Sequence, residues 1–110
     1  VNNLPEEFTL LQNYPNPFNP NTKIKYSIPK SSNVVIKVFD VLGNEVAKLL
    51  DDELFAGEYE VEFSTIVGFT SGGNVYTIPS GIYFYQLRII DPGMNSGQGF
   101  IQTKKMLLIK

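Results

Sequence analysis

The 110-residue chain contains no cysteine and no histidine. It therefore cannot supply a Ser-His-Asp or Cys-His pair, a thiolate nucleophile or the usual zinc ligands, and most hydrolytic chemistry is excluded. No disulfide can hold the fold, so packing and strand pairing alone must stabilise it. An excess of positive charge is missing as well: nine basic against eleven acidic side chains give a net charge of -2 and a pI near 5.0. That leaves no electrostatic footprint for nucleic acid or anionic lipid, and no nucleic-acid partner is expected. No apolar run approaches the roughly 18 residues of a membrane span, so membrane insertion is not expected either. Residue 1 is Val and no basic-then-apolar leader precedes the first structured segment, which reads as a piece of a longer protein. An enzyme would have to rest on Asp, Glu, Tyr, Ser and Lys side chains in an otherwise unmarked chain, so no catalytic, cofactor-binding or metal-binding residue is assigned.

What the chain does have is alternation. Lys23-Ile24-Lys25-Tyr26-Ser27-Ile28 places Ile24, Tyr26 and Ile28 on one face of a strand, with the lysines and Ser27 on the other. Val34–Phe39 is β-branched enough to lie centrally in a sheet. Glu58-Tyr59-Glu60-Val61-Glu62-Phe63 alternates most cleanly, three glutamates out and Tyr59, Val61 and Phe63 in. Residues 81–90 and 99–109 complete the long strands. Gly43-Asn44 offers φ > 0 positions for a hairpin turn before Glu45–Leu50. Segment 45–54 also fits a helical stripe through Val46, Leu49, Leu50 and Leu54, although strand is the preferred reading. Three prolines and four asparagines within 13–21 forbid a helix and indicate a stiff, ordered loop.

Residues 64–80, with Gly68, Gly72, Gly73 and Pro79, read as a long loop or small hairpin insert. The fold class that follows is all-β, an immunoglobulin-like antiparallel β-sandwich of about seven strands. Tyr83, two residues before Tyr85, has the spacing of a tyrosine corner, and Tyr85 would fill the core position that cysteine takes in antibody domains.

Candidate chemistry has simpler structural readings. Glu58, Glu60 and Glu62 could serve as paired carboxylates or hold a cation, but read better as a solvated strand face. Asp51-Asp52-Glu53 lacks the alternating ligand spacing of a calcium loop and reads as an acidic turn. Gly72-Gly73 carries no phosphate-loop signal. Tyr14, Phe18, Phe69 and Tyr76 could stack sugars as in carbohydrate-binding modules, although loop aromatics more often plug sandwich ends.

Four blocks together stop being generic: Leu11-Gln12-Asn13-Tyr14-Pro15-Asn16-Pro17-Phe18-Asn19-Pro20, Val38-Phe39-Asp40-Val41-Leu42-Gly43-Asn44-Glu45-Val46, Pro79-Ser80-Gly81-Ile82-Tyr83-Phe84-Tyr85, and Thr103-Lys104-Lys105-Met106-Leu107-Leu108-Ile109-Lys110. In this order the set resembles the type A C-terminal sorting domain of the type IX (Por) secretion system of Bacteroidetes-like bacteria. The resemblance covers residues 8–110, leaving 1–7 as a linker from an upstream cargo, and it departs from the family at 64–78, where the insert is longer and Ile78 replaces a leucine. The hook-capping protein of flagella carries a similar immunoglobulin-like unit.

The resemblance implies a non-catalytic, cofactor-free address label covalently linked behind a larger secreted cargo. The cargo would pass through the periplasm, be recognised by the outer-membrane translocon, and reach the cell surface or the medium. A cysteine-peptidase-type sortase would remove the domain by cutting before Phe8 or upstream of residue 1. For translocon and sortase recognition the expected residues are Lys104, Lys105, Met106, Leu107, Leu108, Ile109 and Lys110, with a free strand edge for strand addition, the alternative for Met106, Leu107 and Leu108 being that they are simply core. Asn16, Pro17, Phe18, Asn19, Gly43, Gly81 and Tyr83 are expected to be mainly structural. The alternative is an accessory carbohydrate-binding or spacer module of a secreted enzyme.

Overall fold

The computed structural model describes residues 4–67, 76–90 and 99–110. Its strands are β1 (Thr9–Leu10), β2 (Asn21–Ile28), β3 (Ser32–Phe39), β4 (Glu45–Leu54), β5 (Gly57–Ser64), β6 (Ile66–Val67), β7 (Tyr76–Thr77), β8 (Gly81–Ile90) and β9 (Phe100–Leu108). Seven of them build two antiparallel sheets, β1-β2-β5 and β4-β3-β8-β9, which form the expected immunoglobulin-like sandwich. The other two, β6 and β7, pair with each other as a small hairpin at the base of the 64–80 insert. Its expected apex at Gly72-Gly73 lies outside the described residues.

Period-two patterning explains the layers. Ile24 and Tyr26 of β2, Val34, Ile36 and Val38 of β3, Tyr83, Tyr85, Leu87 and Ile89 of β8, and Met106 and Leu108 of β9 all point between the sheets and are buried. The outer face of the three-stranded sheet is charged, and register explains its glutamates. Glu62 lies opposite Lys23 and Glu60 opposite Lys25, with a diagonal Lys23–Glu60 contact of 3.6 Å. They are one half of a cross-strand charge ladder. Ser27, expected on that exposed face, is buried because the Thr9 hydroxyl and the Glu7 carbonyl cover it.

The helical alternative for 45–54 fails, and the register shows why the pattern was ambiguous. Ile36 pairs with Leu50 but Lys37 with Lys48; Val38 pairs with Ala47 but Phe39 with Glu45. Two one-residue bulges, at Leu49 and Val46, break the period-two alternation into apolar pairs that mimic a helical stripe. Asp51-Asp52-Glu53 is likewise not a turn. It continues β4 opposite Val35, Val34 and Asn33, on an edge strand where charged side chains are tolerated.

The sheets are joined through one phenol. Tyr85 on β8 is fully buried; its hydroxyl donates to the Leu11 carbonyl at 2.8 Å and accepts from the Asn13 N–H at 2.8 Å. It occupies the position expected from the cysteine comparison and ties β8 to the segment leaving β1. Burial pushes the Tyr85 phenol up to about 12, against a smaller opposing effect of the Asn13 N–H, and burial with the nearby Tyr59 does the same to Tyr26. Tyr83 forms the expected tyrosine corner, its hydroxyl donating to the Pro79 carbonyl at 2.7 Å.

Replacing Tyr85 by Phe leaves the Leu11 carbonyl and the Asn13 N–H without this partner, and the expected cost is about 1–3 kcal/mol by denaturant unfolding. The wild-type domain should also lose stability as pH rises from the unfolded phenol pKa near 10 toward 12, because the unfolded chain releases protons that folded Tyr85 and Tyr26 retain. The Phe variant should show a shallower alkaline decline; an unchanged slope would contradict this assignment.

Candidate functional site

The four sequence blocks, dispersed along the chain, meet at one end and edge of the sandwich. The 11–20 block is an ordered loop built around Asn13. This buried side chain donates to the Pro15 carbonyl and to Thr22 Oγ1 and accepts from Gln12 Nε2, while Thr22 Oγ1 donates to the Pro15 carbonyl. The Tyr14–Pro15, Asn16–Pro17 and Asn19–Pro20 peptide bonds are cis. The loop then runs along β9. Gln12 Nε2 donates to the Lys105 carbonyl at 2.7 Å, the Leu107 N–H to Asn16 Oδ1 at 3.0 Å, the Phe18 N–H to the Leu107 carbonyl and the Ile109 N–H to the Phe18 carbonyl.

Phe18 therefore does what a plug should. Its backbone makes a parallel bridge with Leu108, and its buried ring packs edge-on against Phe63 of β5, 6.0 Å between centroids. It touches both sheets. That burial removes Phe18 from any sugar platform; Tyr14 is 80% exposed, and Phe69 lies outside the described residues. Pro17 and Asn19 are exposed at the surface of the loop.

The 38–46 block makes the β3–β4 turn. Gly43 alone takes a left-handed conformation, at φ 87°, and donates to the Asp40 carbonyl at 3.1 Å. Asn44 does not share the positive φ expected for the Gly43-Asn44 pair. It instead gives its backbone N–H to Asp40 Oδ1, which also accepts from the Leu42 N–H. These hydrogen bonds, led by that from the Asn44 backbone, hold the Asp40 carboxyl below its ordinary range. The turn leaves Val41 and Leu42 63% and 82% exposed beside Pro79, Ser80, Gly81 and Ile82, forming a shallow groove. A second groove lies on the other side of Ile82, between Pro17 and Lys105–Leu107. At the start of β8, Ser80 Oγ accepts from the Lys110 N–H, and Gly81 pairs with Leu108.

The expected recognition set 104–110 is divided by the pleat. Met106 and Leu108 are 1% and 0% exposed and form part of the core, where a partner cannot touch them in the folded domain. Lys104 and Lys105 project to opposite faces: Lys104 lies on the same face as Met106, whereas Lys105 shares the outer face with Leu107. The accessible members are Lys105, Ile109 and Lys110, with Leu107 half-buried. The edge expected to receive an added strand is already occupied along 105–109 by the 12–18 loop. Sequence reasoning left Val41, Leu42 and Ile82 out of the candidate set. The available signal was two adjacent large apolar residues in a three-residue turn, too short to bury both.

Among known proteins, the family model described as a secretion system C-terminal sorting domain matches residues 12–106. No curated protein is similar enough to match. The crystal structure of dimeric latent PorU from Porphyromonas gingivalis superposes with a TM-score of 0.68 at 19% identity, over 99% of this chain and 10% of that one. This chain thus corresponds to about a tenth of that protein's length, and the likeness at this identity is one of fold.

An L-residue at position 43 should be penalised by its backbone alone, since open space surrounds a Cβ there. Gly43→Ala is expected to destabilise by about 1–2 kcal/mol and D-alanine at the same position to cost nothing, measured by denaturant unfolding of semisynthetic domains. In the same turn, Asp40 should titrate below the ordinary carboxylate range by NMR, so its contribution is complete above the unfolded pKa and is lost as pH falls through the folded one. Asp40→Asn should abolish that acid-side contribution.

Proposed function

The chain belongs to the secretion system C-terminal sorting domain family of the type IX system, and from that premise we propose that it is the address label of a larger exported protein, carried behind its cargo and read by the outer-membrane translocon. The observation that carries this reading is the family match over residues 12–106, nearly the whole chain. Domains of this family are generally non-catalytic, and export through the system leads to the cell surface or the medium.

The reading continues with a periplasmic stage and removal of the domain by a cysteine-peptidase-type sortase that cuts ahead of Phe8, with 1–7 as linker. Translocon contact falls to the accessible residues where the four blocks meet: Lys105, Leu107, Ile109 and Lys110 on the last strand and its end, with Val41, Leu42 and Ile82 beside them. This placement is supported by an exposed apolar surface rimmed by polar groups, which is the usual character of a protein-contact site. Asn16, Phe18, Gly43 and Tyr83 build the frame. A folded label without cysteine suits the task, because its surface keeps one form in any redox setting.

The test is a fusion of residues 1–110 behind a signal peptide and a fluorescent reporter. In a type IX-competent strain the reporter is expected on the surface or in the medium with the domain removed, and in a translocon-deficient strain it should remain periplasmic. A folded fusion that stays periplasmic in both strains would refute the sorting role.

A further inference from the structure

The two outer faces of the sandwich differ in kind. On the three-stranded sheet Glu62 and Glu60 of β5 lie opposite Lys23 and Lys25 of β2, with Glu58 opposite Ser27, so both of the face's lysines are met by carboxylates. On the four-stranded sheet Phe39 pairs directly with Phe84, and Ile82 with Leu107, forming an apolar strip that none of the core residues covers. Farther along the same face Ile101, 55% exposed, pairs with Arg88.

Charge on this face is unbalanced in one direction. Of its three carboxylates among the described residues, Glu45 is committed to Lys37 at 3.0 Å and Asp51 to Lys48 at 3.3 Å, and Glu53 lies opposite Asn33 at the far end of β4; against these stand the four cations Lys37, Lys48, Arg88 and Lys105. Arg88 and Lys105 have no ion-pair partner among the described residues. Arg88 stands four residues along β8 from Phe84, whose cross-strand neighbour is Lys105, so one cation lies beside the apolar strip and the other beyond its end, roughly 13 Å apart along the strand direction. A second copy docked through the same face would bring two further unpaired cations against one unpaired carboxylate, Glu53, so like charge outweighs opposite charge and self-pairing is disfavoured.

We propose that the outer face of the four-stranded sheet docks a folded protein of the secretion machinery whose contact surface is apolar at its centre and carries carboxylates spaced to meet Arg88 and Lys105. Apolar burial supplies the adhesion, and the two charge contacts fix register and reject basic partners. The inference rests on the sorting reading and adds to it the face and chemistry of the partner.

The experiment uses the same reporter fusion in the competent strain. The double variant R88E/K105E should lower delivery at least about tenfold, the scale of losing close charge contacts in an interface. K23Q/K25Q, on the opposite face, should leave delivery within about twofold, since that ladder is not part of the contact. Thermal melts of the purified domains establish folding; if charge reversal lowers the melt, R88Q/K105Q replaces it and should still reduce delivery. If the wild-type fusion is delivered and a folded Arg88/Lys105 variant is delivered equally, the docking proposal is overturned while the sorting role stands. If the wild-type fusion is not delivered, the sorting reading falls and takes the proposal with it. Sedimentation velocity adds a separate check: a domain dimer dissolved by the same variant would assign the face to a second copy and overturn the proposal.

Discussion

The structure depends on the hydroxyl of Tyr85. A chain with no cysteine must join two sheets without a covalent bridge, and this buried phenol does so by accepting from the Asn13 N–H while donating to the Leu11 carbonyl. The tie fixes where the chain leaves β1 and enters the proline-rich loop. From that point the loop satisfies itself through Asn13 and Thr22, then runs beside β9 and inserts Phe18 between the sheets. An isolated hydrogen bond contributes about 1 kcal/mol net, so the tie acts less by its own strength than by setting the register of the contacts that follow.

One consequence concerns the end of β9. An edge strand with unpaired backbone groups invites pairing with another chain. Here Gln12, Asn16 and Phe18 occupy those groups between Lys105 and Ile109. The last strand is thus held from one side by β8 and from the other by a loop more than eighty residues earlier in the chain. What it offers to a partner is side chains on its outer face rather than an open backbone edge. The same arrangement brings the turn at Asp40–Asn44 and the start of β8 alongside, so residues from four distant blocks share one apolar surface around Ile82.

Much of this was legible in the sequence. Alternation in 23–28 and 58–63 identified strands and their inner faces, and the spacing of Tyr83 and Tyr85 located both the tyrosine corner and the core phenol. The asparagines of the 13–21 loop bond the backbone as their chemistry suggests. One local reading was right but ambiguous, and one failed. The stripe in 45–54 was ambiguous because two bulges disrupt the alternation, and bulges are properties of a strand and its partner together. Gly43-Asn44 suggested two left-handed residues, whereas the three-residue turn requires only Gly43 and uses Asn44 to hold Asp40.

The sequence by itself determined which segments are extended, which faces are apolar, the need for a glycine at the turn and the lack of any disulfide, thiolate or imidazole, because each follows from residue identity or from spacing over a few positions. Only tertiary structure decided that the face shared by Lys104, Met106 and Leu108 is the one turned to the core, and that Lys23 and Lys25 face matching glutamates while Arg88 and Lys105 do not. Those outcomes depend on which strands lie side by side and in what register. The groups that set them, such as Tyr85 and Leu11, are 74 residues apart and meet only after the chain has closed.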